Sequence, residues 1–211
     1  AMLYCGLPRR HYWLSAIIAP RFLASAFAVG FCLIVIMALI LKRVANFDAG
    51  RVAIDKIVTI IIYAAIANMF FWSLELFVGA YSNVPGHLHT LKYLFFGLEH
   101  NGHVYNNLVP FMWLFLILFI VGIAMISYPP IRRGGGLWLG VGCACIFTAF
   151  WLDKGIGFVL GGFVPTPTDE IVEYYPHFNE LMIAAGIWAA GFFILTILYK
   201  IAIGVDREIE A

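Results

Sequence analysis

Long apolar stretches alternate with short polar segments along the whole chain. Five stretches each meet or approach the roughly 20 residues that a helix needs to cross the hydrocarbon core of a bilayer. They are continuously apolar and lack the alternating pattern of strands in a membrane barrel, which predicts helices. The predicted spans are Ser15–Leu41, Ile54–Ala80, Leu108–Tyr128, Leu137–Phe163 and Leu181–Ile203.

Composition favours the same fold class. Hydrophobic residues make up 63% of the 211 residues and charged residues only 12%, whereas soluble domains carry about 25% charged residues. We therefore expect an all-α, polytopic transmembrane helix bundle that forms a single domain over residues 1–211 in a lipid bilayer. The formal net charge of +1 and the scattered arginines argue against a nucleic-acid partner.

The basic residues predict which side of the membrane each connection faces. If the spans alternate in direction, one side carries more Lys and Arg, and the positive-inside rule assigns that side to the cytoplasm. The C-terminus is then cytoplasmic, and the loops Ser82–Tyr105 and Val164–Glu180 face outward. The cytoplasmic set is Lys42, Arg43, Arg51, Lys56, Arg132, Arg133, Lys200 and Arg207, and the outward set is Arg9, Arg10, Arg21 and Lys92.

Four ionisable residues fall inside the predicted spans and give the strongest functional signal. Such groups are costly in a bilayer and persist mostly where they pair with each other or serve a pathway. All four lie in the outer half of the membrane, so two cations and two anions at similar depth indicate a neutral cluster. They are Arg21, Glu75, Asp153 and Lys154.

Two interpretations of this cluster stay open. It is either a set of ion pairs that fix helix register or a proton route beside a redox-active lipid. Lys154 points about 100° away from Asp153 around a regular helix, so Arg21 on another helix is an equally good partner for that carboxylate. Asp153 is expected to be the most consequential ionisable residue, with Glu75 second.

Two further groups are candidates for contact with a membrane quinone. Asn68 and Trp72 lie on roughly the same face of their span as Glu75, although an aromatic belt at the membrane interface would also explain the tryptophan. His87 and His89 lie in the His-rich outward loop. For this loop, metal binding, partner contact, and proton exchange or quinone contact all stay open.

Neither histidines nor cysteines predict a bound metal or haem. A bis-histidine haem needs histidines within spans on facing helices, and none is there. No carboxylate or cysteine joins the loop histidines at a recognisable metal-ligand spacing. The cysteines lack CxxC spacing and are interpreted as packing residues. The residues concerned are His11, His87, His89, His100, His103 and His177, and Cys5, Cys32, Cys143 and Cys145.

Three stretches of the sequence resemble a known family. Residues 19–26, APRFLASA, leading to Gly30, resemble the opening of a core helix in the NrfD/polysulfide-reductase (PsrC-like) membrane-subunit family. Residues 81–97, YSNVPGHLHTLKYLFFG, and 151–176, WLDKGIGFVLGGFVPTPTDEIVEYYP, resemble the branch that contains DsrP and HmcC. Members of that branch are quinone-interacting anchors in redox complexes of sulfur-metabolising microbes.

The resemblance implies a subunit of the cell inner (cytoplasmic) membrane that passes electrons between menaquinone and an extracytoplasmic ferredoxin-like iron–sulfur subunit. It further implies a c-type cytochrome and other membrane subunits in a respiratory oxidoreductase complex, and no haem or iron–sulfur cluster in this chain. Related subunits have roughly twice as many spans, so this chain corresponds to their C-terminal half, and their principal quinone site lies largely in the other half. The expected docking residues are Glu99, His100, Asp169, Glu170 and Glu173.

Two other functions stay open. One is a structural anchor without its own quinone site, in which another subunit handles the quinone. The other is a secondary transporter, which the lack of a visible internal repeat or broken-helix pair weakens. Since the sequence carries no motif for soluble catalysis, the chain is expected to be non-catalytic alone.

The charge distribution makes a testable prediction about topology. Cysteine labels placed between Arg43 and Arg51, or near Arg207, should react with a membrane-impermeant maleimide only from the cytoplasmic side, because the positive-inside rule places them there. Labels between Pro85 and Gly102 should react from the outer side. Reversed labelling in right-side-out and inside-out vesicles would overturn both the charge interpretation and the side assigned to the partner.

Overall fold

The computed structural model describes residues 11–82, 85–100, 103–134, 136–164 and 177–210. Nearly all of these residues are helical, so the predicted all-α class is confirmed. The main helices are α1 (Ile18–Val44), α2 (Arg51–Tyr81), α3 (Pro85–Phe96), α4 (Val109–Ser127), α5 (Pro129–Gly134), α6 (Leu137–Trp151) and α7 (Phe178–Glu210).

Several short elements precede, extend or connect these helices. A 3-10 helix, His11–Trp13, precedes α1. A π-helix, Leu152–Leu160, continues α6 and passes into a 3-10 turn, Gly161–Phe163. The strands β1 (Leu98–His100) and β2 (His103–Tyr105) form an antiparallel hairpin.

Five of the described helical segments are long and apolar enough to cross a membrane, which makes the chain a multi-pass membrane protein. They agree with the five predicted spans to within a few residues. The shifts occur at polar ends: α1 extends beyond Leu41 through Lys42 and Arg43, and α2 starts at Arg51. Apolar content defines the part of a helix in lipid, whereas the backbone hydrogen bonds continue beyond it.

The chain divides into two units, Ala1–Glu173 and Tyr174–Ala211. The first contains four spans, and the second contains α7, whose apolar window has no buried residue. The expectation of one domain over residues 1–211 therefore stays a prediction.

Regular spacing of buried residues explains how the first unit packs. The buried positions of α2 and α4 recur at alternating intervals of three and four residues, which is the spacing of a helix seam packed against a neighbour. They are Val58, Ile61, Ala65, Asn68, Trp72, Glu75 and Gly79 in α2, and Met112, Phe115, Phe119, Gly122 and Ile126 in α4. Consecutive spans run antiparallel, so the bundle has a hairpin end, which carries β1–β2, and a basic end, which carries Lys42, Arg43, Arg51 and Arg132.

The hairpin end is covered by ordered structure, where the sequence analysis expected a loop over Ser82–Tyr105. The Thr90 hydroxyl of α3 donates a hydrogen bond to the Val164 carbonyl at 2.9 Å. Gly97, with φ +81°, turns the chain from α3 into β1, and a Cβ there would lie 2.9 Å from the Tyr105 carbonyl oxygen. Only glycine tolerates this conformation and approach, and the turn therefore seats the hairpin on α3.

The basic end is held by one arginine. The Arg132 Nη2 of α5 donates to Asp55 Oδ2 at 3.0 Å, to the Asp55 carbonyl at 3.1 Å and to Thr59 Oγ1 at 2.5 Å, and Nε donates to Asp55 Oδ1. Such forked pairing fixes geometry as well as charge. Hydrogen bonding to Asp55 raises the pKa of Arg132 above its ordinary value. The clasp joins the α4–α6 connection to α2.

Glycines bring α4 and α6 close together. A Cβ on Gly122 would lie 2.7 Å from Ile146 Cγ1 and 3.1 Å from the Gly142 carbonyl oxygen, and one on Gly142 would lie 2.8 Å from Ile126 Cγ2. Small residues at a crossing allow membrane helices to approach to this distance.

Gly122→Ala should destabilise the protein by about 1–3 kcal/mol, because the added methyl meets backbone that can move only if the helices separate. The matched control is Gly30→Ala in α1, where a Cβ meets nothing within 4 Å. That variant should be neutral or up to about 1 kcal/mol more stable, as alanine favours helix. Thermal unfolding in detergent measures both, and equal stability of the two variants would contradict the packing argument.

Candidate functional site

Arg21 is the centre of a buried charge cluster. It lies in the first turns of α1 with 1% of its surface exposed. Its Nη1 donates a hydrogen bond to Glu75 Oε2 of α2, and its Nη2 donates to Asp153 Oδ1 of the π-helix at 2.5 Å. One guanidinium therefore links three spans inside the bundle.

Lys154 completes the cluster. Its Nζ lies 3.1 Å from Asp153 Oδ2 and 4.6 Å from the centre of the Phe22 ring. The contact with Asp153 is an ion pair by distance, although its angles are not those of a hydrogen bond. The sequence argument, which turned Lys154 about 100° away from Asp153, underestimated this contact. The flexible four-carbon stem of Lys154 lets its ammonium reach back to the neighbouring carboxylate despite this angle.

The structure thus brings together the four ionisable residues that the sequence singled out. Two cations, Arg21 and Lys154, face two carboxylates, Glu75 and Asp153, so the cluster is neutral when all four are charged. Side-chain exposure is 1% for Arg21 and Asp153, 8% for Glu75 and 17% for Lys154. Burial of a balanced set avoids the cost of an isolated charge in a low-dielectric interior.

The oxygens of the two carboxylates are not equivalent. Both Asp153 oxygens contact a cation, and Glu75 Oε2 contacts Arg21. Glu75 Oε1 is buried and has no hydrogen-bond partner among the described residues. Of the four carboxylate oxygens in the cluster, Glu75 Oε1 is therefore the one that no cation of the described residues contacts.

Tyr12 is a member of the site that the sequence analysis missed. Its side chain is 6% exposed and its ring lies 6.0 Å from that of Phe158, with Arg21, Glu75 and Asp153 near enough to interact electrostatically. Burial raises the pKa of the Tyr12 phenol, and Glu75 raises it further. Tyr12 precedes α1 in a separate 3-10 turn, so helical periodicity gives no signal of its proximity.

Trp13 anchors that turn to the π-helix. Its indole N–H donates a hydrogen bond to the Phe158 carbonyl at 2.9 Å, and its ring meets Phe163 edge-on at 5.2 Å. A Cβ on Gly162 would lie 2.1 Å from the indole. The glycine-rich end of the fourth span therefore makes room for Trp13, which in turn positions Tyr12.

Trp72 and Asn68 are both buried in the four-span unit. Trp72 is 8% exposed, and its ring packs against Phe95 at 5.8 Å and Phe115 at 5.7 Å. The Trp72 ring therefore contacts protein within this unit. Asn68 is fully buried, and neither its amide oxygen nor its nitrogen has a hydrogen-bond partner in the described part of the chain.

The other predicted contact residues are placed unevenly. His87 is half-buried and His89 exposed on α3, and Glu99 is exposed on β1. His100 is the last residue of β1. Asp169, Glu170 and Glu173 lie outside the described residues.

Metal-ligating residues do not gather in the described ranges. No three of their His, Cys, Asp and Glu side chains are arranged to hold a metal ion. Cys32 and Cys143 are buried and Cys145 is half-buried, all as free thiols. Cys5 lies outside the described residues.

Comparison of the chain with protein-family models, curated proteins and solved structures finds no match in any of the three.

Arg21→Gln should cost about 3–5 kcal/mol of unfolding free energy, because it leaves an uncompensated carboxylate in the bundle. The double variant Arg21→Gln/Glu75→Gln removes one charge of each sign and leaves Asp153 with Lys154, so it should recover part of this loss. Lys42→Gln removes an exposed cation paired with Asp48 and should change stability little. Thermal unfolding in detergent checks all three, and a double variant no more stable than the single one would contradict the charge-balance argument.

Proposed function

We propose that the chain is an integral membrane subunit of a menaquinone-linked respiratory oxidoreductase complex. It exchanges electrons between membrane quinone and an extracytoplasmic iron–sulfur subunit, and Glu75 exchanges protons within it. The choice of menaquinone and of the partner subunits rests on the resemblance to the NrfD/polysulfide-reductase family. The observation that carries the proton function is the buried cluster in which Glu75 Oε1 has neither a hydrogen bond nor an ion pair among the described residues.

Quinone chemistry requires a proton-exchanging group in the membrane. Reduction of a quinone to a quinol takes up two electrons and two protons, and oxidation releases them. A carboxylate at a low-dielectric site, with its proton affinity set by burial and nearby cations, is suited to this exchange. Glu75 is a buried carboxylate with one oxygen that no cation contacts among the described residues, and Arg21 beside it balances the negative charge when the proton leaves.

We assign different tasks to the two carboxylates on the basis of their contacts. Asp153 holds both cations and thereby ties the π-helix to α1. Glu75 keeps one oxygen for a proton. The sequence analysis ranked Asp153 as the most consequential ionisable residue and Glu75 as the second. For proton transfer we put Glu75 first.

Asn68 extends the polar face of α2 away from the cluster. It lies seven residues before Glu75 on the same seam, about 10 Å along the helix axis, with Trp72 between them. Its unpartnered amide is suited to hold a buried water, which needs two to four polar partners. Because protein rings cover Trp72, we place the quinone ring outside this four-span unit, at a surface completed by another subunit or by further spans.

We also assign each end of the bundle to a side of the membrane. The basic end and the C-terminus face the cytoplasm, in line with the positive-inside rule. The hairpin end faces outward and carries the docking surface for the iron–sulfur subunit, to which Glu99 and His100 of β1 contribute, together with Asp169, Glu170 and Glu173.

A structural anchor is the second candidate, and one observation favours it. The Arg21 guanidinium bonds carboxylates on two other spans, which is also what an ion pair that only fixes helix register would do. Removal of the Glu75 carboxylate distinguishes the two candidates: it should lower turnover in a proton-exchanging subunit and lower stability in a structural anchor.

Glu75→Gln keeps an oxygen for Arg21 and removes the titration, so the complex should still assemble. Because one buried positive charge is left in excess, heat stability should fall, but by less than in Asp153→Asn. The quinone-linked turnover of Glu75→Gln should fall by about 10²-fold or more, the usual scale of a lost proton-transfer group. Asp153→Asn should lower assembly and heat stability more strongly, because Lys154 loses its carboxylate and Arg21 loses one of its two. The measurements are native electrophoresis, thermal unfolding and turnover with a soluble menaquinone analogue, with exposed Asp48→Asn as the control carboxylate.

Each outcome has a consequence. A Glu75→Gln complex that is stable and turns over normally would overturn the proton function. A Glu75→Gln variant as unstable as Asp153→Asn would favour the structural anchor.

A further inference from the structure

An apolar groove runs between α1 and α6 at the basic end. It encloses about 460 Å³, within the roughly 300–1,000 Å³ of small-molecule sites. At its floor the helices touch, since a Cβ on Gly140 would lie 3.2 Å from Leu39 Cδ1. The small side chains of α6 leave the groove open above this contact. Its apolar lining comprises Ile36, Leu39, Ile40, Gly140, Val141 and Ala144.

Two basic residues close one end of this groove. Lys42 and Arg43, in the last turn of α1, line it together with the apolar residues. Arg43 is exposed and has no ion pair within the described ranges. Lys42 donates to Asp48 Oδ2 at 2.7 Å at the surface, and this ammonium holds the pKa of Asp48 below its ordinary value.

Lys42 also lines a second, polar cavity. This cavity of about 400 Å³ adjoins the groove at the basic end, and Arg51 and Arg132 contribute to its wall together with Asp48 and Asp55. The groove therefore changes from apolar to charged along its length. From Ile36 to Arg43 this transition takes about 10 Å at the rise of an α-helix.

We propose that this groove binds one anionic phospholipid. An acyl chain lies along Ile36, Ile40 and Ala144, and the phosphate sits on Arg43 and Lys42. The match is one of charge and of polarity: α1 and α6 are membrane spans, so the apolar part faces acyl chains, and basic residues at a span end meet lipid headgroups.

The two basic residues have different tasks. Arg43 offers a planar fork of donors that fits a phosphate. Lys42 leaves Asp48 for the phosphate, an exchange of one exposed anion for another. A zwitterionic lipid would bring its own cation against the same residues, so the groove distinguishes headgroups by charge.

Native mass spectrometry of the full chain in detergent, titrated with dioleoylphosphatidylglycerol, tests the proposal. One molecule of dioleoylphosphatidylglycerol should bind per chain, with higher affinity than dioleoylphosphatidylcholine. Inorganic phosphate at the same concentration should not compete with it. Arg43→Gln should weaken phosphatidylglycerol binding about fivefold, and Lys42→Gln/Arg43→Gln about 20-fold or more. The matched control, Lys56→Gln, removes an exposed cation of α2 that does not line the groove and should bind as wild type.

A second variant tests the apolar part separately. Ala144→Trp fills the groove from an exposed position, so it should abolish the one-lipid complex while heat stability stays unchanged. Equal binding of the two lipids, normal binding by Ala144→Trp, or equal losses in Lys56→Gln and Arg43→Gln would each overturn the proposal. Competition by inorganic phosphate would instead show an anion site without a lipid.

Discussion

The Arg21 guanidinium is the interaction on which the packing of the four-span unit depends. Removing an arginine from water is costly unless it is paired. Here Nη1 and Nη2 bond carboxylates of two other spans, while the buried Nε has no hydrogen-bond partner among the described residues. A slip of either helix by one turn, about 5.4 Å, would leave the cation or a carboxylate alone. Apolar side chains tolerate such slips far better, so this pairing selects one register of α1, α2 and the π-helix.

The π-helix is the second constraint, and it serves the first. It carries Asp153 and Lys154 in adjacent positions, and Arg21 and Lys154 contact different oxygens of the Asp153 carboxylate. Glycines within and after the π-helix allow neighbouring side chains to approach its backbone closely. A Cβ on Gly157 would lie 2.6 Å from Met112 Sδ, and one on Gly161 would lie 2.8 Å from Leu94 Cδ2. The irregular backbone is therefore enclosed by protein, as backbone at membrane depth must be.

The two ends of the bundle differ in how open they are. At the hairpin end, α3, the hairpin and the His11–Trp13 turn cover the charge cluster, which keeps its ions away from water and strengthens their interactions. At the basic end, the Arg132 clasp holds only the α4–α6 connection, and the groove beside Lys42 and Arg43 stays accessible. Proton exchange and lipid binding, as proposed, thus lie at opposite ends and on different helix faces.

The sequence by itself determined the fold class, the five spans and the identity of the buried ions, because apolar length and intramembrane charge are local properties. It also marked Asn68 and Glu75 as sharing a face, since helical periodicity is regular along α2. Only the tertiary structure decided which carboxylate oxygen lacks a cation, that Trp72 is buried between rings, and that Tyr12 joins the cluster. These depend on a π-helix and on contacts between residues far apart in the chain, such as Trp13 with Phe158, and neither leaves a periodic signal in the sequence.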